Sequence, residues 1–212
     1  PVIEEGIQVY PFMAHYPAVM PMTRASHRSP VASGEKDILA LLIEMILASK
    51  ALGKGIRIGC YAFDKSEIVN ALIEAAKTQK VEIICDWKTL YFGASASMKP
   101  MVKAMLNAGI DIRTYKPEKG GRNAAHHCKY QIIVGGAVFT GSANFTHNSL
   151  ENFCVEAGMF TRSKQAVEDY NRLFLYYQAQ SAAVSFENPS GVTIDHSRMV
   201  GRAVVPDPEN PV

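Results

Sequence analysis

Four polar side chains of this chain are close enough in sequence for one short β-hairpin to bring them together: His127, Lys129, Ser142 and Asn144. Two apolar, β-branched runs flank Gly135-Gly136, a pattern typical of a hairpin whose glycines can adopt positive φ angles. With these glycines as the whole loop, Lys129 lies opposite Ser142 and shares its face of the hairpin. His127 then lies opposite Asn144 on that same face, because side chains alternate along a strand. The sequence therefore predicts a patch of one imidazole, one ammonium, one hydroxyl and one amide.

This patch suits chemistry on a phosphate ester. The imidazole of His127 can attack phosphorus and form a covalent intermediate, which divides hydrolysis into two easier steps. Lys129 and Asn144 can stabilise the negative charge of the transition state, and Ser142 can offer its hydroxyl to a phosphate oxygen. A second imidazole is needed to protonate the leaving oxygen and then to activate water. The residue types thus suit chemistry on a phosphate, with His127 as the candidate nucleophile.

The same residues resemble a known family signature. His127-x-Lys129, followed by Gly141-Ser142-x-Asn144 and then Glu151-Asn152, resembles the signature of the phospholipase D superfamily, in particular its small single-motif bacterial endonucleases. The resemblance implies a mechanism through a phosphohistidine, with no metal and no cofactor. Members with two motifs build one active site from both copies. A chain with a single copy is therefore expected to form a two-fold homodimer with a shared active site.

Two positions need interpretation within this resemblance. Glu151 matches the glutamate of the family's Glu-Asn pair, and its expected role is to accept the Nδ1–H of His127 so that Nε2 can attack. Glu156 is the alternative for that role. The family motif has an aspartate where this chain has Val134. We expect that aspartate to support the turn rather than the chemistry, and its absence keeps a catalytically silent binding domain as an alternative.

The composition is that of an ordinary soluble globular protein, with 212 residues, 48% hydrophobic and 20% charged. The net charge of +2 does not by itself indicate a nucleic-acid-binding protein. The four cysteines lie in separate predicted strands, which favours free buried thiols over disulfides. Because the chain starts at Pro1, a periplasmic or secreted protein whose signal has been removed is one interpretation, and the sequence leaves the localisation open.

Strand-like and helix-like segments alternate along the chain, which predicts an α/β fold with a mixed β-sheet covered by helices on both faces. Asp64 and Glu67 resemble a capping box that opens the second helix. Residues 1–185 are predicted to form one catalytic domain and residues 186–212 a loosely structured tail. Outside the hairpin, the predicted strands run from Ile7 to Phe12, Ile56 to Phe63, Val81 to Cys85, Ile110 to Tyr115 and Phe153 to Phe160, and the predicted helices from Glu35 to Leu52, Asp64 to Gln79, Met98 to Ala108 and Ser163 to Ser181.

Two basic loops are candidates for binding substrate phosphates. A long loop from Ala14 to Gly34 and a second loop from Lys116 to Asn123 are rich in residues that carry positive charge. Aromatic residues are candidates for stacking on bases, with core packing as the alternative for two of them, Trp87 and Phe92. The candidate phosphate ligands are Arg24, His27, Arg28, Lys119 and Arg122, with His15 and Lys116 beside them, and the further aromatic candidates are Tyr16 and Tyr91.

These features favour a metal-independent nuclease that acts on DNA or RNA with little sequence preference. A phospholipase D-type lipid hydrolase is the first alternative, and the basic loops favour a polyanion over a lipid membrane as partner. The sequence does not distinguish DNA from RNA. His126, His127 and Cys128 do not predict a metal site, because consecutive strand residues point to opposite faces and cannot converge on one ion.

Overall fold

The structure is a computed structural model that describes residues 7–11, 38–92, 98–117, 125–151 and 156–186, with the backbone alone for 7–11 and 151. The predicted loop at 14–34, most of the loop at 116–123 and nearly all of the tail at 186–212 lie outside these residues. The elements are β1 (Ile7–Pro11), α1 (Ile38–Ser49), β2 (Ile56–Cys60), α2 (Ser66–Ala76), β3 (Val81–Asp86), α3 (Trp87–Phe92), α4 (Met98–Asn107), β4 (Asp111–Tyr115), β5 (Tyr130–Ile133), β6 (Ala137–Gly141), α5 (His147–Glu151), β7 (Ala157–Thr161), α6 (Lys164–Ala179) and β8 (Ala182–Ala183).

Within the described residues the strands form one mixed sheet in the order β1-β7-β6-β5-β2-β3-β4-β8. The three strands β2, β3 and β4 are parallel to one another, whereas the other neighbours are antiparallel. The parallel strands are joined through helices, as parallel pairing requires a crossover connection. The α/β class and the mixed sheet are as the sequence predicts.

Helices cover both faces of the sheet. Ile83 packs into the larger apolar cluster under α1, α2 and α4, whereas Ile84 packs into the smaller cluster under α6. Neighbouring residues of β3 thus serve opposite faces, which is why the central strands read as nearly continuous apolar runs. A buried polar network also holds α6, because Arg57 of β2 donates to Glu82 of β3 at 3.0 Å and to Asn171 of α6 at 3.1 Å.

The predicted hairpin register is wrong by one residue. Ile133 pairs with Ala137, so the loop contains three residues, Val134 to Gly136, instead of the two glycines. Burial explains this register, because Ile133 and Ala137 both belong to the larger cluster, whereas Val138 belongs to the smaller one. The predicted register would have paired Ile133 with Val138 and forced two residues of opposite faces onto one face. Gly135 alone in this loop has a positive φ, 72°.

The predicted capping box at Asp64 is also wrong. Helix α2 begins at Ser66, and the preceding Lys65 makes no side-chain cap hydrogen bond. The backbone N–H groups of Asp64 and Lys65 donate to the Phe145 carbonyl at 3.0 and 3.1 Å. This contact places the Asp64 carboxylate beside α5, where it accepts a hydrogen bond from the His147 backbone N–H at 2.8 Å. Asp64 therefore caps a helix that is distant in sequence.

Candidate active site

One end of the sheet gathers most of the described polar residues singled out above. The parallel strands β2, β3 and β4 all finish at this end, β5 and β7 start there because they run antiparallel to their neighbours, and β6 finishes there. We refer to it as the C-terminal end of the sheet. In α/β sheets this is the position at which ligands commonly bind. It carries Glu156, Ser142, His127, Lys129, Tyr61, Asp86 and Lys116, each next to the end or the start of a strand.

His127 and Lys129 are in direct contact at this end. The ammonium of Lys129 lies 3.0 Å from Nδ1 of His127 and donates to the His127 carbonyl oxygen at 2.9 Å. The imidazole is exposed, whereas only 5% of Lys129 is exposed. Both acceptors of this ammonium are uncharged when the imidazole is neutral. An anionic ligand would therefore stabilise the buried positive charge of Lys129. The predicted proximity of these two side chains is present in the structure.

The contact with Lys129 determines which ring nitrogen of His127 carries hydrogen. An ammonium can only donate, so Nδ1 holds a lone pair in this arrangement and Nε2 holds the hydrogen of the neutral ring. The sequence predicted the opposite state, with a carboxylate accepting from Nδ1. Glu156 instead binds Ser142, and the side chain of Glu151 lies outside the described structure. A phosphate that draws Lys129 away would release Nδ1.

Tyr61 completes the surroundings of the imidazole. Its ring centroid lies 4.8 Å from that of His127, and the Lys129 ammonium lies 5.4 Å from the Tyr61 centroid. Partial desolvation lowers the pKa of His127 below its ordinary value, and the charge of Lys129 lowers it further, while Asp86 acts in the opposite direction. The lowered pKa of His127 favours the neutral ring, the state in which an imidazole is a nucleophile.

Ser142 and Glu156 form a second pair. The Ser142 hydroxyl donates to Oε2 of Glu156 at 2.5 Å and accepts from the Ala157 backbone N–H at 3.0 Å. Lys129 pairs with Gly141 through backbone hydrogen bonding, so the predicted position of Ser142 directly opposite Lys129 is wrong, and with it that of Asn144 opposite His127. Because the hydroxyl hydrogen is held by Glu156, a phosphate oxygen would have to replace that carboxylate as acceptor.

The backbone around Ser142 is tightly packed. A Cβ atom on Gly141 would lie 2.4 Å from the Ala157 carbonyl oxygen and 2.9 Å from the Gly158 Cα, so only glycine fits there. Two residues after Ser142, the Asn144 Oδ1 is buried and has no hydrogen-bond partner among the described residues. The unpaired atom is a hydrogen-bond acceptor, and its burial without a partner is costly, which makes this side chain a candidate to bind a ligand that offers a donor.

Asp86 is a buried carboxylate that sequence reasoning missed. Its Oδ2 accepts from the backbone N–H of His126 at 2.8 Å, and its Oδ1 accepts from that of Thr89 at 2.7 Å. It therefore anchors the segment that leads to His127. His126 itself is 3% exposed and packs between the rings of Tyr115 and Tyr177, away from the exposed imidazole of His127. Burial lowers the pKa of His126 to about 4.

The structure leaves the predicted phosphate ligands of the two basic loops untested. Arg24, His27 and Arg28 lie outside the described residues, and so do Lys119 and Arg122.

Of the cysteines, Cys60, Cys85 and Cys128 are free thiols, while Cys154 lies outside the described residues. Across the described ranges there is no group of three His, Cys, Asp or Glu side chains placed to hold a metal ion, and no helix long and apolar enough to cross a membrane.

Comparison with known proteins identifies the family of this chain. Residues 42–177, more than half of the chain, match a family model described as "Cardiolipin synthase, PLD-like domain". The chain belongs to the phospholipase D-like family. It therefore has the fold of a superfamily whose members act on phosphodiester bonds, as the resemblance implied. No curated protein matches the chain significantly.

Several solved structures share the fold. Nuc from Salmonella typhimurium, a phospholipase D family member, is 24% identical with a TM-score of 0.59, and the match covers 72% of this chain and 93% of Nuc. NucT from Helicobacter pylori is 22% identical with a TM-score of 0.59, covering 69% and 90%. Phosphatidylserine synthase from Haemophilus influenzae is 13% identical with a TM-score of 0.51, covering 72% and 38%. Since these proteins share a fold and carry different names, the fold alone does not select the substrate.

Proposed function

We propose that this phospholipase D-like protein is a metal-independent nuclease that hydrolyses DNA or RNA with little sequence preference. The observation that carries the proposal is the buried ammonium of Lys129, held by uncharged acceptors 3.0 Å from the exposed imidazole of His127. A phosphodiester supplies the anion that this ammonium lacks and the phosphorus that the imidazole attacks. The resemblance to single-motif endonucleases favours nucleic acid as the source of that phosphodiester.

The reaction proceeds in two steps. Nε2 of one His127 attacks phosphorus while the bond to the leaving oxygen breaks, and that oxygen takes a proton from a second imidazole. Water then attacks the phosphohistidine, gives its proton to the second imidazole and breaks the P–N bond. Lys129 and the amide of Asn144 stabilise the charge on the phosphoryl oxygens in both steps. Once a phosphate has drawn Lys129 away, the ring hydrogen moves from Nε2 to Nδ1, which leaves a lone pair on Nε2 for the attack, and Glu151 is the proposed acceptor of that Nδ1–H.

Incubation with supercoiled plasmid, single-stranded DNA, RNA and phospholipid vesicles tests this assignment directly. We expect strand cleavage that persists in EDTA, because the nucleophile is an imidazole and not a metal-bound water. Complete loss in EDTA, restored by a divalent cation, would contradict the mechanism. Hydrolysis of phospholipid alone would make the chain a lipid hydrolase, and no turnover on any substrate would favour the silent binding domain.

A homodimer with a shared active site is the proposed source of the second imidazole. His127→Ala subunits and wild-type subunits, mixed four to one and refolded together, should form pairs in which one ring is missing. If one site needs both rings, activity per wild-type subunit should fall to about one fifth, the fraction of its pairs that are fully wild type. Mixing with inert carrier protein is the control. A monomer by sedimentation that keeps full turnover would contradict the shared site.

Glu156 should affect the alkaline limit of phosphate binding through Lys129, whereas the alkaline limit of turnover depends first on the protonated second imidazole. Burial lowers the pKa of Lys129, whereas the Cys128 thiol and the Glu156 carboxylate oppose that shift. In Glu156→Gln the opposing charge is lost, so the pKa of Lys129 falls further and its ammonium is lost at lower pH. The alkaline loss of affinity for inorganic phosphate, measured as Kd against pH, should therefore move to lower pH. Glu74→Gln, an exposed change on α2, should leave the profile in place, and an identical shift in both variants would exclude a local effect of Glu156.

A further inference from the structure

An exposed aromatic side chain lies at the same end of the sheet as His127. Phe92, the last residue of α3, is 64% exposed although it is a large apolar residue. Its ring rests against Trp87 with centroids 4.9 Å apart, tilted by 52°. An apolar ring that is held by another ring yet left open to water offers a free aromatic face to a ligand.

A lysine side chain lies beside these rings. The ammonium of Lys116, which follows β4, lies 4.4 Å from the centroid of Trp87. This distance is within the range of cation–π attraction, which keeps the ammonium beside an aromatic face. We refer to Trp87, Phe92 and Lys116 as the aromatic–lysine surface.

This surface lies close to the proposed nucleophile. In the sheet order, β3 is two strands away from β5 and β4 is three strands away. Since neighbouring strands are about 4.8 Å apart, the starts of α3 and of the Lys116 segment lie roughly 10 and 14 Å from the His127 segment. A nucleic-acid strand with one phosphate at His127 therefore places its neighbouring nucleotides over the aromatic–lysine surface.

We propose that the aromatic–lysine surface is a subsite for unpaired nucleotides, with a base stacked on Phe92 and a backbone phosphate bound by Lys116. This inference rests on the proposed nuclease function and narrows its substrate to single-stranded nucleic acid. An aromatic face beside an ammonium group matches a base and its neighbouring phosphate along a strand. A duplex keeps its base faces stacked within the helix, so only an unpaired nucleotide offers a face to Phe92. A phospholipid membrane is the rival occupant, because aromatic and basic residues also bind at membrane surfaces.

Fluorescence anisotropy with a labelled single-stranded oligonucleotide and with a blunt duplex tests the subsite. Phe92→Ala should bind the single strand about five- to a hundredfold more weakly, the effect of losing one base–aromatic stack, with a smaller change for the duplex. Phe92→Tyr keeps a stacking ring and should retain affinity. Leu47→Ala, which removes an exposed apolar side chain from α1, should bind both probes as the wild type does.

The salt dependence of binding tests the proposed phosphate contact of Lys116. Lys116→Gln should lower the slope of log Kd against log salt concentration by about 0.7 for the single strand, as expected for one lost phosphate contact.

The outcomes separate the subsite from the nuclease. If the wild type cleaves nucleic acid and Phe92→Ala binds the single strand with unchanged affinity, the subsite is overturned and the nuclease is kept. A wild-type protein that binds single strands through Phe92 without cleaving them would overturn the nuclease and keep the subsite. Loss of binding to phosphatidylcholine–phosphatidylglycerol vesicles in Phe92→Ala, with nucleic-acid binding intact, would assign the surface to membranes.

Discussion

Replacement of His127 by alanine should lower turnover by about four to six orders of magnitude, the range seen when a covalent nucleophile is removed. The exposed imidazole has a lowered pKa, which favours the neutral ring, and it is adjacent to a buried ammonium. Its loss removes the phosphohistidine, so the remaining site can bind phosphate but cannot form the covalent intermediate. Single-turnover assays with a radiolabelled oligonucleotide measure the rate and detect the phosphorylated protein.

His126 provides the matched control for this change. Its ring is buried between Tyr115 and Tyr177, and its Nε2 has no hydrogen-bond partner among the described residues. His126→Phe keeps an aromatic ring there and should leave most of the turnover. His126→Ala should also leave most of the turnover, but lose about 1–3 kcal/mol of stability through lost packing. Equal loss of activity in His127→Ala and His126→Phe would mean that His127 is not the nucleophile.

Replacement of Lys129 by methionine should lower kcat/KM by about a hundred- to a thousandfold, the effect of removing one preorganised donor from a charged transition state. Methionine fills most of the buried space, so the change removes the charge and largely keeps the packing. Lys77→Met, on the exposed side of α2, is the control for loss of one positive charge.

The same variant should shift the acidic limb of the pH profile. The charge of Lys129 lowers the pKa of His127, so its removal raises that pKa. The imidazole must be neutral to attack, and activity is lost as pH falls through the pKa of His127. The acidic limb of kcat/KM should therefore move to higher pH in Lys129→Met. A drop in rate with no movement of this limb would indicate that Lys129 acts on substrate alone.

Much of the fold could be predicted from sequence because its signals are local. The central strands are apolar runs, and Gly53 and Gly109, with φ of 61° and 82°, follow the ends of α1 and α4 as predicted. The short helix α3 was missed because it follows β3 without a connecting loop and has only six residues. The two-residue strand β8 was missed because its existence depends on pairing with β4 rather than on its own sequence.

The candidate site was predictable in its residue types and not in its geometry. The spacing of His127 and Lys129 was sufficient to predict their contact, because both belong to one segment. The partner of Ser142 was not predictable, since a one-residue difference in the hairpin loop decides which residues lie opposite one another. Tyr61 and Asp86 could have been found, because each stands where a buried parallel strand ends.

Asp86 joins two parts of the site through one carboxylate. One oxygen holds the backbone of Thr89 in α3, the helix that ends at Phe92, and the other holds the backbone of His126, next to His127. The distance between the stacking ring and the nucleophile is thus fixed by the protein and not by the substrate. Such a fixed separation sets the shortest single strand that can reach both Phe92 and His127. Oligonucleotides below that length should bind equally well to the wild type and to Phe92→Ala, whereas longer ones should bind the wild type more tightly.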